Sequence, residues 1–406
     1  MIHNNMKTFG QILNEDKNLH LVHIEDLVFE GSSRVNSGIS LLKELMNMLS
    51  GESNQKVNVS TKWDGAPSII CGTNPENGKF FVGTKSVFNK KTPKINYTEQ
   101  DIRSNHPSGL ASKLIPALKH LKDLPIKGVI QGDMLYTQSD LSTETIKGES
   151  YVTFTPNTIT YAVPSGTNLA TRIKNSKLGI VFHTKYTGDK LAEMSASFDP
   201  NVSALKRSTS IWVDDAKFKD MTGVASFTKR EADTINTMIQ NAETMSSRSK
   251  KFIDDIKTNS FIIGYLNIYV NSKVRQGIAE LSAPEFLKFI SDREEQSLSK
   301  LKRKDTIKRK EKIKKTAENY IKRNMRQLQS VFDLHKMMTK AKIAIVRKLE
   351  SINAMQTFVK TDNGFKVTGQ EGYVATDKFG KNTLKLVDRM EFSKLNFTLP
   401  KNWIKG

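Results

Sequence analysis

Lys62 has the sequence context of a reactive amine. Asp64 and Gly65 follow it closely, a strand-like run precedes it at residues 57–60, and a β-hairpin pattern follows at residues 68–84. Glycine lets the backbone approach a ligand closely, so Gly65 suits a loop that lines a binding site. Asp64 is expected either to orient a ribose or to support this loop.

The chemistry open to Lys62 depends on its charge. An amine attacks phosphorus only when it is uncharged, and a free lysine has a pKa of about 10.4. Partial burial and nearby cations lower that pKa. We therefore expect the site to depress the pKa of Lys62 by burial and by the charge of Lys85, Lys385 or a bound metal ion.

Three further segments carry groups that suit chemistry on a triphosphate. Asp133 follows a glycine near the end of an apolar strand-like run, so a carboxylate is presented by a strand. Phe182 lies in another such run, and its ring can stack on a nucleobase. Glu371 and Lys385 lie fourteen residues apart in two short β-like runs. A carboxylate for metal and an amine for phosphate are therefore expected on neighbouring strands.

The elements that must position these residues change character along the chain. Residues 1–205 alternate β-like runs with glycine and proline punctuation and a few helices, whereas residues 206–356 are dominated by long helical periodicities. Strands return in residues 357–406, where Asn363 and Gly364 form a pair suited to a tight hairpin turn. These last residues are too few to bury a core of their own. The sequence thus predicts an α+β domain of residues 1–205 and 357–406, split by a helical insertion.

Net charge points to a polyanionic partner. The chain has 63 Lys and Arg against 42 Asp and Glu, a formal charge of +21. Thirteen basic and three acidic residues fall between Lys300 and Arg326, in a helix-like stretch with an apolar stripe that includes Ala317, Ile321 and Leu328. The exposed side of this stretch is either a solvated face or a surface that follows a phosphate backbone. The residues that we expect to contact nucleic acid are Lys308, Arg309, Lys312 and Lys315.

Composition also bears on the cellular compartment in which the protein is expected. No apolar run approaches the length of about eighteen residues that a membrane span requires, and no secretory signal is apparent at the N-terminus. The single cysteine, Cys71, cannot form an internal disulfide. We expect a monomeric protein of a reducing cytoplasm that has no membrane partner. Glycine-rich phosphate-binding motifs are absent from the sequence, so phosphate binding is not expected at a helix N-terminus.

Together, these segments resemble the motif order of the covalent nucleotidyltransferases, the superfamily of ATP-dependent polynucleotide ligases and mRNA capping enzymes. That order is a lysine nucleophile motif, a basic motif, an acidic strand, an aromatic strand, a Glu-Gly strand and a lysine strand. The matching positions are Lys62 to Gly65, Lys85, Asp133, Phe182, Glu371 with Gly372, and Lys385. The pattern at residues 20–26, 62–67 and 154–161 is also similar to that of uncharacterised proteins of tailed phages.

The resemblance implies a fold and a set of roles. The fold would be a nucleotidyltransferase domain, ATP-grasp-like, of antiparallel sheets with helices. Lys62 would form a lysyl-AMP bond with ATP, and Lys385 would stabilise charge on the phosphates. Asp133 and Glu371 would bind Mg²⁺ or Mn²⁺, or nucleotide hydroxyls. The nucleotide site would also include Asp64 and Gly65, with Phe182 stacking on the base and Lys85 contacting the nucleotide or a 5′-phosphate.

Some positions depart from the family pattern. Asp133 stands where glutamate is usual, and His183 follows the aromatic residue where aspartate is common. The lysine strand usually carries two lysines, whereas Lys385 is followed by Leu386 and Val387, so Arg389 or Lys381 is expected to replace the second. The run 212–219 also resembles a lysine strand and is an alternative to the strand of Lys385.

The sequence leads to three functional hypotheses. The first is an ATP-dependent polynucleotide ligase, by preference an RNA ligase, because only 21 residues follow Lys385 and leave no room there for the OB domain of DNA ligases and capping enzymes. The second, from the same superfamily, is either a DNA ligase or a capping-type guanylyltransferase that uses GTP. The third is a non-catalytic nucleic-acid-binding phage protein that has kept the fold.

Overall fold

The computed structural model describes residues 21–50, 57–198, 200–216, 227–351, 356–361, 364–377 and 383–393. The fold is mixed α+β, with three sheets and a helical region of about 120 residues. The strands are β1 (Val22–His23), β2 (Asn58–Lys62), β3 (Ser68–Thr73), β4 (Phe80–Gly83), β5 (Val129–Thr137), β6 (Ser142–Ile146), β7 (Glu149–Phe154), β8 (Thr160–Pro164), β9 (Leu178–Thr187), β10 (Ser195–Phe198), β11 (Ile211–Asp215), β12 (Gln356–Thr361), β13 (Gly364–Val367), β14 (Gly372–Thr376) and β15 (Thr383–Leu386).

The helices of the described residues fall into two groups. Four lie before residue 176: α1 (Ser32–Leu49), α2 (Glu99–Asn105), α3 (Ser108–Leu121) and α4 (Asn168–Asn175). Five form the helical region: α5 (Lys229–Thr258), α6 (Ser260–Gln276), α7 (Ala283–Leu298), α8 (Lys304–Arg323) and α9 (Met325–Glu350). Among the described residues, no helix combines the length and apolar character needed to cross a membrane.

Three sheets carry the strands. The six-stranded sheet has the order β10-β9-β5-β3-β4, with β11 also paired to β9; the four-stranded sheet has the order β1-β15-β14-β2, and the five-stranded sheet β13-β12-β8-β7-β6. The hairpin predicted at residues 68–84 is confirmed, because β3 and β4 pair in antiparallel fashion. The apolar runs of Asp133 and Phe182 are likewise adjacent strands, β5 and β9.

The C-terminal strands return to sheets built by the N-terminal part, as predicted. β12 pairs with β8, β14 pairs with β2, and β15 pairs with β1. β12 and β13 also form the predicted hairpin, in which Gly364 pairs with Thr361 and adopts a φ of 101° that favours glycine. Asn363 lies outside the described residues. Residues separated by the whole helical region therefore share hydrogen-bonded ladders.

Among the described residues, the hydrophobic core of the helical region is continuous with that of the four-stranded sheet. One buried cluster joins residues of α1 and α5–α9 to one face of the four-stranded sheet, including Tyr373 and Leu384. The predicted apolar stripe contributes Ala317, Ile321 and Leu328 to this cluster. The stretch is not one continuous helix, because α8 ends and α9 begins on either side of Asn324. The predicted boundary near residue 205 is also displaced, because β11 still belongs to the six-stranded sheet.

A buried ion pair fastens the helical region to the N-terminal part. Lys342 on α9 donates to Glu25 Oε1 at 2.6 Å, and both side chains are almost wholly buried. Glu25 lies in a 3-10 turn, Ile24–Phe29, directly after β1. Burial is the largest influence on the pKa of Glu25 and raises it, but Lys342, together with His23 and His335, outweighs burial and holds that pKa below its usual value. The pair is thus retained as two charges that depend on each other.

Replacing Lys342 by methionine should destabilise the whole fold. The change leaves a buried carboxylate whose second oxygen, Oε2, already lacks a hydrogen-bond partner in the described structure. Breaking a buried pair in this way costs about 3–5 kcal/mol. Urea unfolding should show this loss for Lys342→Met and recovery of most of it in the double variant with Glu25→Leu. An equal loss in the double variant would contradict the prediction.

Candidate active site between two sheets

Lys62 is placed at the boundary of two sheets. It is the last residue of β2, an outer strand of the four-stranded sheet, and it pairs with Gly372 of β14. Gly372 has a φ of 146°, and a Cβ there would lie 2.6 Å from the carbonyl oxygen of Leu386. Glycine is therefore required beside Lys62. The chain then crosses to β3 of the six-stranded sheet, while Thr61 N donates to the carbonyl of Ala216, just after β11, at 2.6 Å.

The Lys62 amine forms an ion pair with Glu371 Oε1. The lysine side chain is 29% exposed and that of Glu371 is 12% exposed. Burial pulls the pKa of Lys62 down, but Glu371, assisted by Asp133 and Asp64, outweighs burial and raises the pKa above its usual value. The expectation of a depressed pKa is thus wrong for this arrangement of side chains, because the carboxylates raise the pKa of Lys62 by more than burial lowers it.

The Glu371 carboxylate is destabilised by its surroundings. Burial is the largest influence on its pKa and raises it, and the negative charges of Asp64 and Asp133 act in the same direction against the attraction of Lys62. A raised pKa makes this carboxylate a better proton acceptor than an exposed glutamate. The pair therefore joins a charged amine to a carboxylate that can take its proton.

Lys385 lies on the same face of the four-stranded sheet as Lys62. It pairs with Val374 of β14, which in turn pairs with Ser60 of β2, two residues before Lys62. Directly paired residues share a face, and so do alternate residues of one strand. Burial lowers the pKa of Lys385, and the charge of Lys62 lowers it further. The two amines that the sequence assigned to one site are thus brought together.

Asp133 and His183 face Lys62 from the six-stranded sheet. His183 Nε2 lies 3.5 Å from Asp133 Oδ2, across the β5–β9 ladder. Burial raises the pKa of Asp133, but His183 and then Lys62 outweigh it and lower that pKa below its usual value. Asp133 is therefore a stable carboxylate. His183 lies beside it, whereas the sequence indicated this residue only as a departure from the family pattern.

A cleft between the two sheets is lined by Lys62, Asp133 and His183. Glu371 and Lys385 are not among its lining residues; Glu371 adjoins it through the ion pair with Lys62, and Lys385 lies on the same sheet face as Lys62. The cleft walls include Lys62, Val374 and Trp63 on one side and Asp133 and His183 on the other. The aliphatic lining continues with Leu21, Val59, Val181 and Pro200. An apolar cavity with a few convergent charged groups is the usual form of a small-ligand site.

Asp64 serves to hold the loop after Lys62. Its carboxylate accepts hydrogen bonds of 2.7 Å from Asn157 Nδ2 and from the backbone N–H groups of Thr158 and Ile159, all in the β7–β8 connection. Its own N–H donates to the Tyr161 hydroxyl at 2.7 Å. Of the two roles expected for Asp64, the structure therefore provides support of the loop.

Gly65 allows the same loop to pack on the strand of Asp133. A Cβ at Gly65 would lie 2.6 Å from Asp133 Cβ and 3.0 Å from the carbonyl oxygen of Met134. The absent side chain thus serves packing against β5, whereas the sequence suggested an approach to a ligand. Ala66 N also donates to Met134 O at 2.9 Å, so the loop is fixed to the carboxylate-bearing strand.

Phe182 and Lys85 differ in accessibility. The Phe182 ring is wholly buried in the cluster that joins the six-stranded sheet to α3, with Ile130 and Leu114 among its members. A ring in that position has no free face to stack on a nucleobase. Lys85 is exposed. It lies two residues after Gly83, which pairs with Ile70 of β3. This pair is near the end of β3 that follows the loop after Lys62.

Two residues were expected to replace the second lysine of the family pattern, and one of them falls within the described part of the chain. Arg389 is buried and bound to Asp26, as described below, and Lys381 lies outside the described residues. In the alternative run 212–219, residues up to 215 form β11, whereas Lys217 and Lys219 also fall outside the described part.

The carboxylates suit a metal ion that arrives with a phosphate ligand. Within the described residues, no group of three or more His, Cys, Asp or Glu side chains is arranged to hold a metal. Mg²⁺ at phosphate-processing sites is commonly held by one or two carboxylates together with phosphate oxygens and water. Asp133 and Glu371 fit such a donor set.

The four residues expected to contact nucleic acid lie on one helix. Lys308, Arg309, Lys312 and Lys315 are all exposed on α8 and form no ion pair with any residue that the structure describes. Nearby, Lys310 pairs with Glu294 at 3.4 Å, and Lys314 pairs with Glu295 at 2.5 Å, so α8 is attached to α7 by its other lysines. The exposed cations are therefore free to meet an external anion.

The fold and site define a mixed α+β protein with a lysine–glutamate pair in a cleft between two sheets. The chain belongs to a family of unknown function, DUF6267, whose model matches residues 18–401. No curated protein and no solved structure matches the chain. The family match spans all three sheets and the helical region, so these parts belong together in one family unit.

Replacing Glu371 by glutamine should lower the pKa of Lys62 below its ordinary value of about 10.4. Without the carboxylate, burial and the charge of Lys385 should prevail. Competitive acetylation across a pH series, read for the Lys62 peptide by mass spectrometry, measures this pKa. Glu311→Gln on exposed α8 is the matched control and should leave Lys62 unchanged. An unaltered pKa in Glu371→Gln would show that the pair does not control the amine.

Proposed function

We propose that this protein is an ATP-dependent polynucleotide ligase, by preference an RNA ligase. The observation that carries the proposal is the pairing of Lys62 with Glu371, with Lys385 on the same sheet face and Asp133 on the opposite wall. A nucleophilic amine, a proton acceptor, a carboxylate and a second cation are the groups that nucleotidyl transfer to lysine requires.

The first step would transfer AMP from ATP to Lys62. Glu371 takes a proton from the Lys62 ammonium, and the neutral amine attacks the α-phosphorus of ATP. A nitrogen–phosphorus bond forms, the bond from the α-phosphorus to the bridging oxygen breaks, and pyrophosphate leaves with the electron pair. The nitrogen releases its second proton to water, so that a phosphoramidate with a neutral nitrogen remains. Lys385 offsets charge that develops on the phosphates. Asp133 would hold Mg²⁺ and so add further positive charge there, and Glu371 would be a metal ligand only while it carries no proton.

The later steps would use a nucleic acid with a 5′-phosphate. The 5′-phosphate oxygen attacks the AMP phosphorus and displaces the Lys62 amine. A 3′-hydroxyl then attacks the activated 5′-phosphorus, so that the two ends are joined and AMP leaves. The exposed cations of α8 would hold the polynucleotide backbone. The same proposal assigns the protein to the cytoplasm of a phage-infected bacterium, where it acts as a monomer.

A second candidate is a nucleic-acid-binding protein that kept this architecture without catalysis. The wholly buried ring of Phe182 favours it, because the residue borders the cleft but its ring has no exposed face on which a base can stack. This candidate retains the role of α8 and predicts no covalent nucleotide.

Incubation with ATP and Mg²⁺ should add one AMP group to the wild-type protein. Intact-mass measurement detects the addition, and Lys62→Ala should abolish it because the amine paired with Glu371 is removed. GTP in a parallel incubation separates the ligase from a capping-type guanylyltransferase. Pretreatment with pyrophosphate removes AMP already present. An unshifted mass after this treatment with either nucleotide would support the non-catalytic candidate.

Replacing Lys308, Arg309, Lys312 and Lys315 together by glutamine should weaken nucleic-acid binding and leave self-adenylation intact. The slope of log affinity against log salt should flatten by about one for each phosphate group that the variant no longer binds. Fluorescence anisotropy with labelled RNA and DNA oligonucleotides measures both quantities. The matched control replaces four exposed lysines elsewhere, Lys119, Lys122, Lys127 and Lys174, and so removes the same charge. Equal weakening in both variants would show that α8 is not the binding surface.

A further inference from the structure

Arg389 ties the C-terminal segment to two distant parts of the chain. It begins a turn, Arg389–Ser393, that follows β15. Its Nη1 lies 2.9 Å from both carboxylate oxygens of Asp26, and its Nη2 donates to Asn271 Oδ1 on α6 at 2.8 Å. A buried guanidinium held at both ends of its fork has little freedom to move.

Asp26 is the junction of this arrangement. It also faces His335 Nε2 of α9 at 3.1 Å, and the His335 ring stacks on Phe29 with centroids 6.0 Å apart. Burial raises the pKa of Asp26, but His335 and Arg389 outweigh burial and lower that pKa below its usual value. One carboxylate thus joins the N-terminal turn, the helical region and the C-terminal turn.

The same residues frame Lys385. Asp26 lies three residues after His23, which pairs with Lys385 in the β1–β15 ladder, and Arg389 lies four residues after Lys385. The bond between Asp26 and Arg389 therefore closes the end of this ladder. β1 is only two residues long, so backbone pairing alone gives Lys385 weak support on that side.

The charges around Lys385 are those of the cleft and those of the junction. After burial, the groups that act on its pKa are Lys62, Glu371, Arg389 and Asp26, in that order. Two of these four belong to the junction, and they act in opposite directions: Arg389 lowers the pKa and Asp26 raises it. The junction therefore reaches the Lys385 amine by electrostatics as well as through the backbone.

We propose that Arg389, Asp26 and His335 are positioning residues for Lys385, so that the helical region holds the cationic end of the cleft in place. The proposal rests on the proposed function for the part that concerns catalysis. It also explains why Arg389 does not take the place of a second cleft lysine: its two terminal nitrogens are held by Asp26 and Asn271. The helical region would then have two separate tasks, with α8 facing nucleic acid and α6 and α9 supporting the site.

Single-turnover self-adenylation of Arg389→Met and His335→Leu tests the catalytic part. The maximal rate constant should fall by a factor on the order of 100, because a small displacement of a positioned group has an effect of this size. The ATP concentration at half-maximal rate should change much less. Phe286→Leu, a change at a wholly buried ring in the same helical core, controls for loss of stability. Equal rate losses in the control and the test variants would overturn the proposal.

A second measurement tests the positioning role independently of whether the proposed ligase reaction takes place. Competitive acetylation across a pH series gives the pKa of Lys385 whether or not AMP is transferred. Arg389→Met should raise this pKa because a cation is removed, and Asp26→Asn should lower it because an anion is removed. A merely structural role predicts no such opposition. If the pKa of Lys385 in both variants equals that in Phe286→Leu, the positioning role is wrong even where wild-type protein is adenylated. If the pKa of Lys385 moves in opposite directions in the two variants while no AMP is transferred, only the ligase proposal fails.

Discussion

The attraction between Lys62 and Glu371 is the interaction on which the cleft depends. It joins an outer strand from the N-terminal part to a strand that the chain reaches only after the helical region. Two opposite charges withdrawn from water stabilise each other only if both are held in place. The ladder from Lys62 to Gly372 holds them, and the shared core of α1, α5–α9 and the four-stranded sheet holds that ladder. The helical region is thus a structural condition of the site.

Much of the strand framework could be predicted from local patterns. Alternating apolar residues and turn pairs identified β3, β4, β5, β9 and the β12–β13 hairpin, and the short C-terminal segment required partners elsewhere. The partner of the helical region could not be predicted, because an apolar stripe such as that of Ala317 and Ile321 shows that a helix packs and does not show against what. The shared core with Tyr373 and Leu384 arises from residues distant in sequence.

The spatial grouping of the candidate site residues was predictable, and the charge state of their side chains was less so. The resemblance grouped Lys62, Asp133, Glu371 and Lys385, which lie together. The direction of the Lys62 pKa could not be derived, because it depends on which of several charges is closest. Phe182 illustrates a second limit: the register of β5 and β9 shifts between Gln131 and Gly132, and the face on which a ring falls depends on such shifts.

The loop that follows Lys62 has a mechanical consequence. Residues 63–67 link the two sheets covalently, Gly65 rests on β5, and the Thr61–Ala216 hydrogen bond lies beside them. These contacts fix the end of β2 to the six-stranded sheet, so the position of Lys62 relative to β5 is set by covalent geometry and by backbone hydrogen bonds. Any change in the angle between the two sheets would therefore displace Lys62 less than it displaces residues at their far margins.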